Sequence, residues 1–460
     1  MNKKLDKKLN VAVIIGIIAL TGFLSSCATK HEAFVDIDQA VADYDFETAK
    51  NLINKGQEPK KNAKRLYKDK NQISLYLDKG MLEFYDNNYE GSTSDLQTAE
   101  RMIEEAYTKS VGQKFLSYIA NDNTIEYPGE DFEDIYLNIF NAISYYHKGD
   151  LESALVEIRK LSISSGKLDM LARKYNYVDP ETGESLNESV AKETDGLNMD
   201  LGDNEKATSF SNSALARYLG ALLYNAAGNK DAARIEYDQV GVAFRTNAAL
   251  YPHALPQTVA QTRNTPDATT RLNIISFTGL SPIKIEHSIP VNFPLRQPRL
   301  RTAELKVPVL MDRENRVNRV EVIVNGNTVN LELLEDMGIV IKDTFNNRFT
   351  SILRKAYIRV FIKYFVSDVA ARVAEQRSAA AAALVALAAE KAIEASEAAD
   401  IRMARFLPNK AFIGGINLQP GTYSVTINYY NGPALVSTQE IEEVTVKANQ
   451  LNLLQSTSLK

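Results

Sequence analysis

Apolar and polar positions along this chain follow two rhythms. Up to about residue 250 they recur at three- and four-residue steps, in three segments that align around a polar turn. These are NNYEGSTSDLQTAE from Asn87, KGDLESALVEIRKL around Gly149 and AGNKDAARIEYDQV around Gly228. With Asn87, Gly149 and Gly228 set as equivalent, Gly80, Ala142 and Ala221 stand seven residues earlier and Ser92, Ala154 and Ala233 five later, all small. Leu96, Ile158 and Tyr237 stand nine later, and Ala99, Leu161 and Val240 twelve later. Two antiparallel helices joined by a tight turn approach closely only where small side chains meet, and the larger ones wedge against the next pair. The pattern predicts stacked helical hairpins over 33–250, with a weaker fourth copy at Ile37–Gly56.

This spacing resembles the tetratricopeptide (TPR) repeat, without its usual first-helix Trp. Register then fixes which first-helix residues face away from the second helix: Leu77, Met81, Phe84 and Tyr85; Tyr136, Ile139, Ile143, Tyr146 and His147; Leu215, Tyr218 and Leu222. As one stripe per helix they are expected to line a concave groove that receives a partner helix or extended peptide, or else to pack against the 30–70 segment or the polar loop at 176–209. Within the helical region, 176–209 is polar and aperiodic and reads as a surface loop.

Past a Pro-containing linker at 251–270 the period becomes two. Leu272–Phe277 and Ile283–Ile289 read as strands, and Arg319–Val324 and Val329–Leu334 flank the Asn325-Gly326 hairpin signal. Phe412–Leu418 and Tyr423–Tyr430 flank Gln419-Pro420-Gly421, with further strands at Ala434–Glu440 and Val444–Leu454. Between these groups runs a helical stretch carrying Ile352, Tyr357, Phe361 and Phe365, and then an alanine-dominated part at Ser378–Ala399. The expected fold is therefore multidomain α+β: an N-terminal TPR-like α-solenoid (33–250), then a small β-sandwich or barrel-like module built from 271–345 and 406–460. A long Ala-rich helix or helical hairpin at 346–405 interrupts that module.

The N-terminus has its own pattern: Lys3, Lys4, Lys7 and Lys8, an apolar run from Val11 to Phe23, then Leu24-Ser25-Ser26-Cys27. The apolar run is too short for a permanent span. The tetrapeptide resembles the bacterial lipobox, so residues 1–26 read as a removed signal peptide, Cys27 as the lipidated residue and 27–32 as a tether. Cys27 is the only cysteine in 460 residues. A free thiol is a liability in an oxidising compartment, and thioether lipidation removes it. No acidic residue follows Cys27, which favours the outer membrane, facing the periplasm.

Composition narrows the chemistry further. With 53 Lys+Arg against 58 Asp+Glu the net charge is −5, which argues against nucleic acid as a partner. One cysteine and four histidines supply no Cys/His cluster, and neither metal nor cofactor is expected. Ser165-Gly166-Lys167 lacks the upstream Gly of a phosphate loop. Ser189-Val190-Ala191-Lys192 has Ser-x-x-Lys spacing in a polar loop with no Lys-Thr-Gly partner, and His147 beside the Gly149 turn reads as a packed or solvated histidine. No catalytic residue is assigned.

An ordered series of short motifs resembles an uncharacterised family of bacterial TPR-containing lipoproteins. It runs through Tyr127-Pro128-Gly129-Glu130, Ala142 to Lys160, Tyr218-Leu219 with Tyr224 and Gly228, and Gly279-Leu280-Ser281-Pro282-Ile283-Lys284. It continues through Arg359 and Lys363, Asp400-Ile401-Arg402 before Leu407-Pro408, and Leu418 to Tyr423. Met403 stands where an aromatic is usual. The resemblance implies a place in the cell envelope and no catalytic role. The leading expectation is a membrane-anchored, non-enzymatic TPR scaffold for an envelope protein partner. Behind it stand a nutrient- or glycan-binding lipoprotein beside an outer-membrane transporter, weakened by the absence of Trp, and then a cell-wall enzyme. Whether a small molecule binds is left open.

Overall fold

The computed structural model describes residues 31–58, 65–110, 125–161, 166–167, 210, 212–293, 301–376, 378, 387–389, 391, 393 and 397–460. After a 3₁₀ turn at His31–Phe34 come α1 (Val35–Ala42) and α2 (Phe46–Gln57), then α3 (Gln72–Tyr85) and α4 (Tyr89–Ser110). Next are α5 (Asp131–His147) and α6 (Leu151–Lys160), α7 (Ala214–Ala226) and α8 (Lys230–Thr246), and the short α9 (Gln257–Arg263). Local chemistry starts these helices. Asp45, Asp150, Ser213 and Asn229 each cap the amide three residues on, and Glu130 and Glu133 form a capping box at α5. Asn87, Gly149 and Gly228 take φ values of 58°, 80° and 78°, the left-handed backbone that turns α3 into α4, α5 into α6 and α7 into α8. The small positions are sterically required: a Cβ on Gly80 would stand 2.6 Å from Leu96 Cγ on the opposing helix.

Nine strands follow: β1 (Arg271–Leu280), β2 (Ile283–Phe293), β3 (Arg301–Met311), β4 (Arg319–Val324), β5 (Asn327–Asp336), β6 (Pro408–Asn417), β7 (Gly421–Asn431), β8 (Ala434–Val446) and β9 (Asn452–Ser458). The 39-residue α10 (Met337–Glu375) separates β5 from β6. Seven strands form one sheet in the order β8-β7-β4-β5-β6-β1-β9, with β1–β9 parallel and every other pair antiparallel. Its two outer strands come back together, the Ser437 and Ser458 hydroxyls lying 3.2 Å apart, so the sheet is a nearly closed barrel. β2 and β3 form a separate ribbon against α10. Sequence reading missed β3, which carries Pro308; among the described residues β3 pairs with β2 alone, and an edge strand tolerates proline. The last two strands also divide elsewhere than expected, since Val444 belongs to β8 and β9 begins at Asn452.

The expectation of an N-terminal TPR-like solenoid followed by a small β module is overturned. The helices occupy the N-terminal half, but they lie on the outer wall of the barrel and share one hydrophobic core with the sheet's outer face. β1 shows why: it is buried along nearly its whole length. Leu272 and Ile274 point into the barrel beside Val320, Val322, Ile427 and Tyr429. Ile275 and Phe277 point the other way, into the cluster that holds the helices. Phe277 sits 6.0 Å from Phe84 and 5.2 Å from Phe140, themselves 4.9 Å apart, so α3, α5 and β1 meet in one aromatic contact. The core of the helical layer runs on into the outer face of the sheet without a break. A smaller cluster, including Leu305, Val307, Tyr357, Val360 and Tyr364, fastens the β2–β3 ribbon to α10. The stretch 251–270 contains α9 and is tied down by Tyr251, whose hydroxyl donates to Glu335. Among the described residues no helix is long and apolar enough to cross a membrane.

Candidate functional site

A dense set of buried polar contacts gathers where segment 397–407 passes between the helical layer and the sheet. The backbone there is irregular, so its polar groups need partners from elsewhere. Carboxylates supply them: Ala404 N–H donates to Glu133 on α5 at 2.5 Å, and the next amide, of Arg405, donates to Asp78 on α3 at 2.6 Å. Tyr85 O–H donates to the Phe406 carbonyl at 2.7 Å, and Ser281 N–H to that of Leu407 at 2.9 Å. Arg405 reaches Asp38 on α1 at 2.6 Å, and its guanidinium lies 4.1 Å from the Phe34 ring centroid.

Beside this contact stand the residues quoted for the family resemblance. Arg402 forms a two-pronged pair with Asp400, donates to the carbonyls of Ile125 (2.8 Å) and Lys70 (3.2 Å), and lies over the Tyr127 ring. Lys284 donates to Glu130 and to the Arg402 carbonyl, and Arg348 of α10 also reaches Glu130. Tyr127 O–H donates to Glu133 at 2.8 Å. Five parts of the chain, three of them among the quoted motifs, thus meet at one junction. Arg359 and Lys363 instead hold Glu397 at the entrance of the segment, at 3.1 and 2.5 Å.

Burial sets the electrostatics. It pushes the Asp78 carboxyl up to about 7, against the opposing hydrogen bonds from Tyr67 and Arg405. Burial and the neighbouring charge of Glu130 push Glu133 to about 7. Values near neutrality suit a general acid or base. Yet every carboxylate oxygen in the pair is engaged within the protein: Asp78 by Tyr67 and Arg405, Glu133 by Tyr127, Glu130 and Ala404. Both residues are wholly inaccessible to solvent. They hold the chain's own amides rather than a substrate. A further buried carboxylate, Glu335 on β5, accepts from Tyr136, Ser213, Tyr251 and the Leu215 amide, pinning α5, α7 and the 251 segment to the sheet.

The stripe expected to form a partner groove is covered by these same elements. Leu77, Met81, Phe84, Tyr85, Tyr136, Ile139, Ile143, Leu215, Tyr218 and Leu222 are all buried. Tyr146 is half-buried, and its hydroxyl donates to the Leu451 carbonyl at 2.7 Å. His147 stacks on Tyr89 at 4.7 Å, and burial lowers its imidazole to about 4. On α3 and α5 the inner face is instead covered by the irregular segment 403–407 of the same chain, and α7 packs on β5. Cys27 and its neighbours Leu24, Ser25 and Ser26 lie outside the described residues, as do Ser165, Ser189 and Lys192 and most of the Ala-rich stretch. Gly166 and Lys167 are described, and Lys167 pairs with Glu100 at 2.8 Å and Asp134 at 2.6 Å.

Open concavity lies elsewhere. A groove of about 690 Å³ runs between α1, the β7–β8 turn and the end of β9, lined by Gln39, Ala42, Arg316, Leu435, Leu459 and Lys460 among others. Among the described residues no group of three or more His, Cys, Asp or Glu is arranged to hold a metal ion. The chain matches no family model, no curated protein and no solved structure.

Proposed function

We propose that this protein is a lipid-anchored lipoprotein of the bacterial cell envelope, on the periplasmic side of the outer membrane. It serves there as a rigid, non-enzymatic platform for a protein partner. The observation that carries the reading is Leu24-Ser25-Ser26-Cys27, in which the chain's sole cysteine follows a lysine-rich segment and a short apolar run. The fate of the buried carboxylates supports the non-enzymatic part, because the groups whose pKa values suit catalysis are spent on internal amides. With the inner face of the helices filled in cis, a partner has the outer helix faces and the barrel rim to bind. Replacing Cys27 with Ala tests the anchor. The variant should accumulate unprocessed or soluble, while the wild type fractionates with washed membranes. Quantitative membrane fractionation of Cys27→Ala would overturn the reading.

A further inference from the structure

Seven large apolar side chains are exposed among the described residues, and three of them stand at one corner: Val35 at 54 %, Tyr44 at 36 % and Leu435 at 56 %. The corner surrounds the 690 Å³ groove. Val35, Gln39 and Ala42 recur at four- and three-residue steps along α1, so Val35 continues the stripe whose next two members line the groove. Leu435 faces it from the start of β8, just past the tight turn at Gly432, and Tyr44 braces its floor by hydrogen bonding to Ser458 and the Leu459 amide. Clustered exposed apolar groups of this kind mark a contact surface.

We propose that this corner rests on the lipid bilayer, with Leu435 and Val35 entering the boundary between headgroups and acyl chains. The inference rests on the lipid-anchor reading, which sets the distance. Val35 is eight residues from Cys27, and eight residues reach at most about 29 Å when fully extended. An acylated Cys27 therefore keeps α1, and the groove beside it, within that distance of the interface. Such a tether raises the local concentration of membrane surface enough for a contact too weak to act alone. Charge does not drive the contact: Arg316 and Lys460 are offset by Glu314 at the groove, by Asp36 on α1 and by Asp43 at its C-terminal end. The contact should therefore form on phosphatidylcholine and be insensitive to salt.

The test uses acylated full-length protein in phosphatidylcholine vesicles. With Cys27 consumed as a thioether, Leu435→Cys introduces a single free thiol for a nitroxide label. Ile235→Cys, at an exposed site on α8, gives the comparison. The label at 435 should be shielded severalfold from a hydrated nickel complex while remaining open to oxygen, and the label at 235 should be open to both. Equal access of the nickel complex to the two labels overturns the docking. The mass of the N-terminal peptide, taken from the same sample, separates the failures. An acylated protein with an aqueous label at 435 defeats the docking alone, and an unacylated Cys27 defeats the anchor and the docking together.

Discussion

Tyr136 and Glu335, 199 residues apart in sequence, meet in a buried hydrogen bond of 2.8 Å. One residue lies on the helical layer and the other on the barrel, so the bond crosses the boundary at which two domains were expected. Tyr136→Phe keeps the packing and removes one of four donors to Glu335, and should cost about 1–2 kcal/mol. Tyr136→Ser also opens a cavity and should cost about 4 kcal/mol. Urea denaturation of both variants checks this. Losses below about 0.5 kcal/mol in both would mean that Tyr136 is not a core residue.

The two near-neutral carboxylates make stability depend on pH in an unusual direction. Asp78 and Glu133 hold protons more tightly folded than unfolded, so their contribution is complete below the ordinary carboxylate range and is lost as pH rises through about 7. His147 acts oppositely: its lowered value contributes stability above 6.5 that is lost as pH falls through about 4. Asp78→Asn isolates one term. Between about pH 5 and about pH 7.5 the wild type should lose about 2 kcal/mol more than the variant does. Parallel pH profiles in urea melts would contradict this.

At low pH a different group takes over. Burial raises Glu100, but Lys167, Asn138 and Lys160 outweigh it and hold the carboxyl down to about 2. Its contribution is present above 4.5 and lost as pH falls toward 2. Glu100→Gln should flatten the acid limb of the urea-midpoint profile and leave the neutral limb in place. An unchanged acid limb would show that Glu100 is not held in this pairing.

The ribbon and α10 have a core of their own, so their stability should be separable. Glu397 is buried between Arg359 and Lys363, and Glu397→Ala leaves two buried cations without it. Hydrogen exchange should speed up in β2, β3 and α10 and stay unchanged in β7 and α5. Uniform acceleration across the chain would mean that the ribbon does not open on its own.

The hairpins were readable because their cause is local. Gly80 and Leu96 touch across one turn, and Asn87, Gly149 and Gly228 sit where left-handed backbone is needed. Asn325-Gly326 marked its hairpin for the same reason, with φ values of 50° and 76°. What covers the helices was not readable. The partners of Glu133 and Asp78 lie 271 and 327 residues downstream, in a segment without periodicity. A stripe of tyrosine and leucine looks alike whether it faces a partner or the chain's own sheet. One signal pointed to the answer: β1 carries large apolar residues on both faces, Leu272 and Ile274 on one and Ile275 and Phe277 on the other, as a strand covered on both sides does.

The central claim is that the core of the helical half is completed by the sheet and by residues 403–407, and residues 31–250 expressed alone test it most directly. Without β1, Glu335 and residues 403–407, the stripe from Leu77 to Leu222 would face water. The fragment should aggregate, or remain helical while melting without a cooperative transition. A soluble monomer that unfolds cooperatively, with dispersed methyl resonances, would show that the helices fold as an independent solenoid and would contradict the shared core.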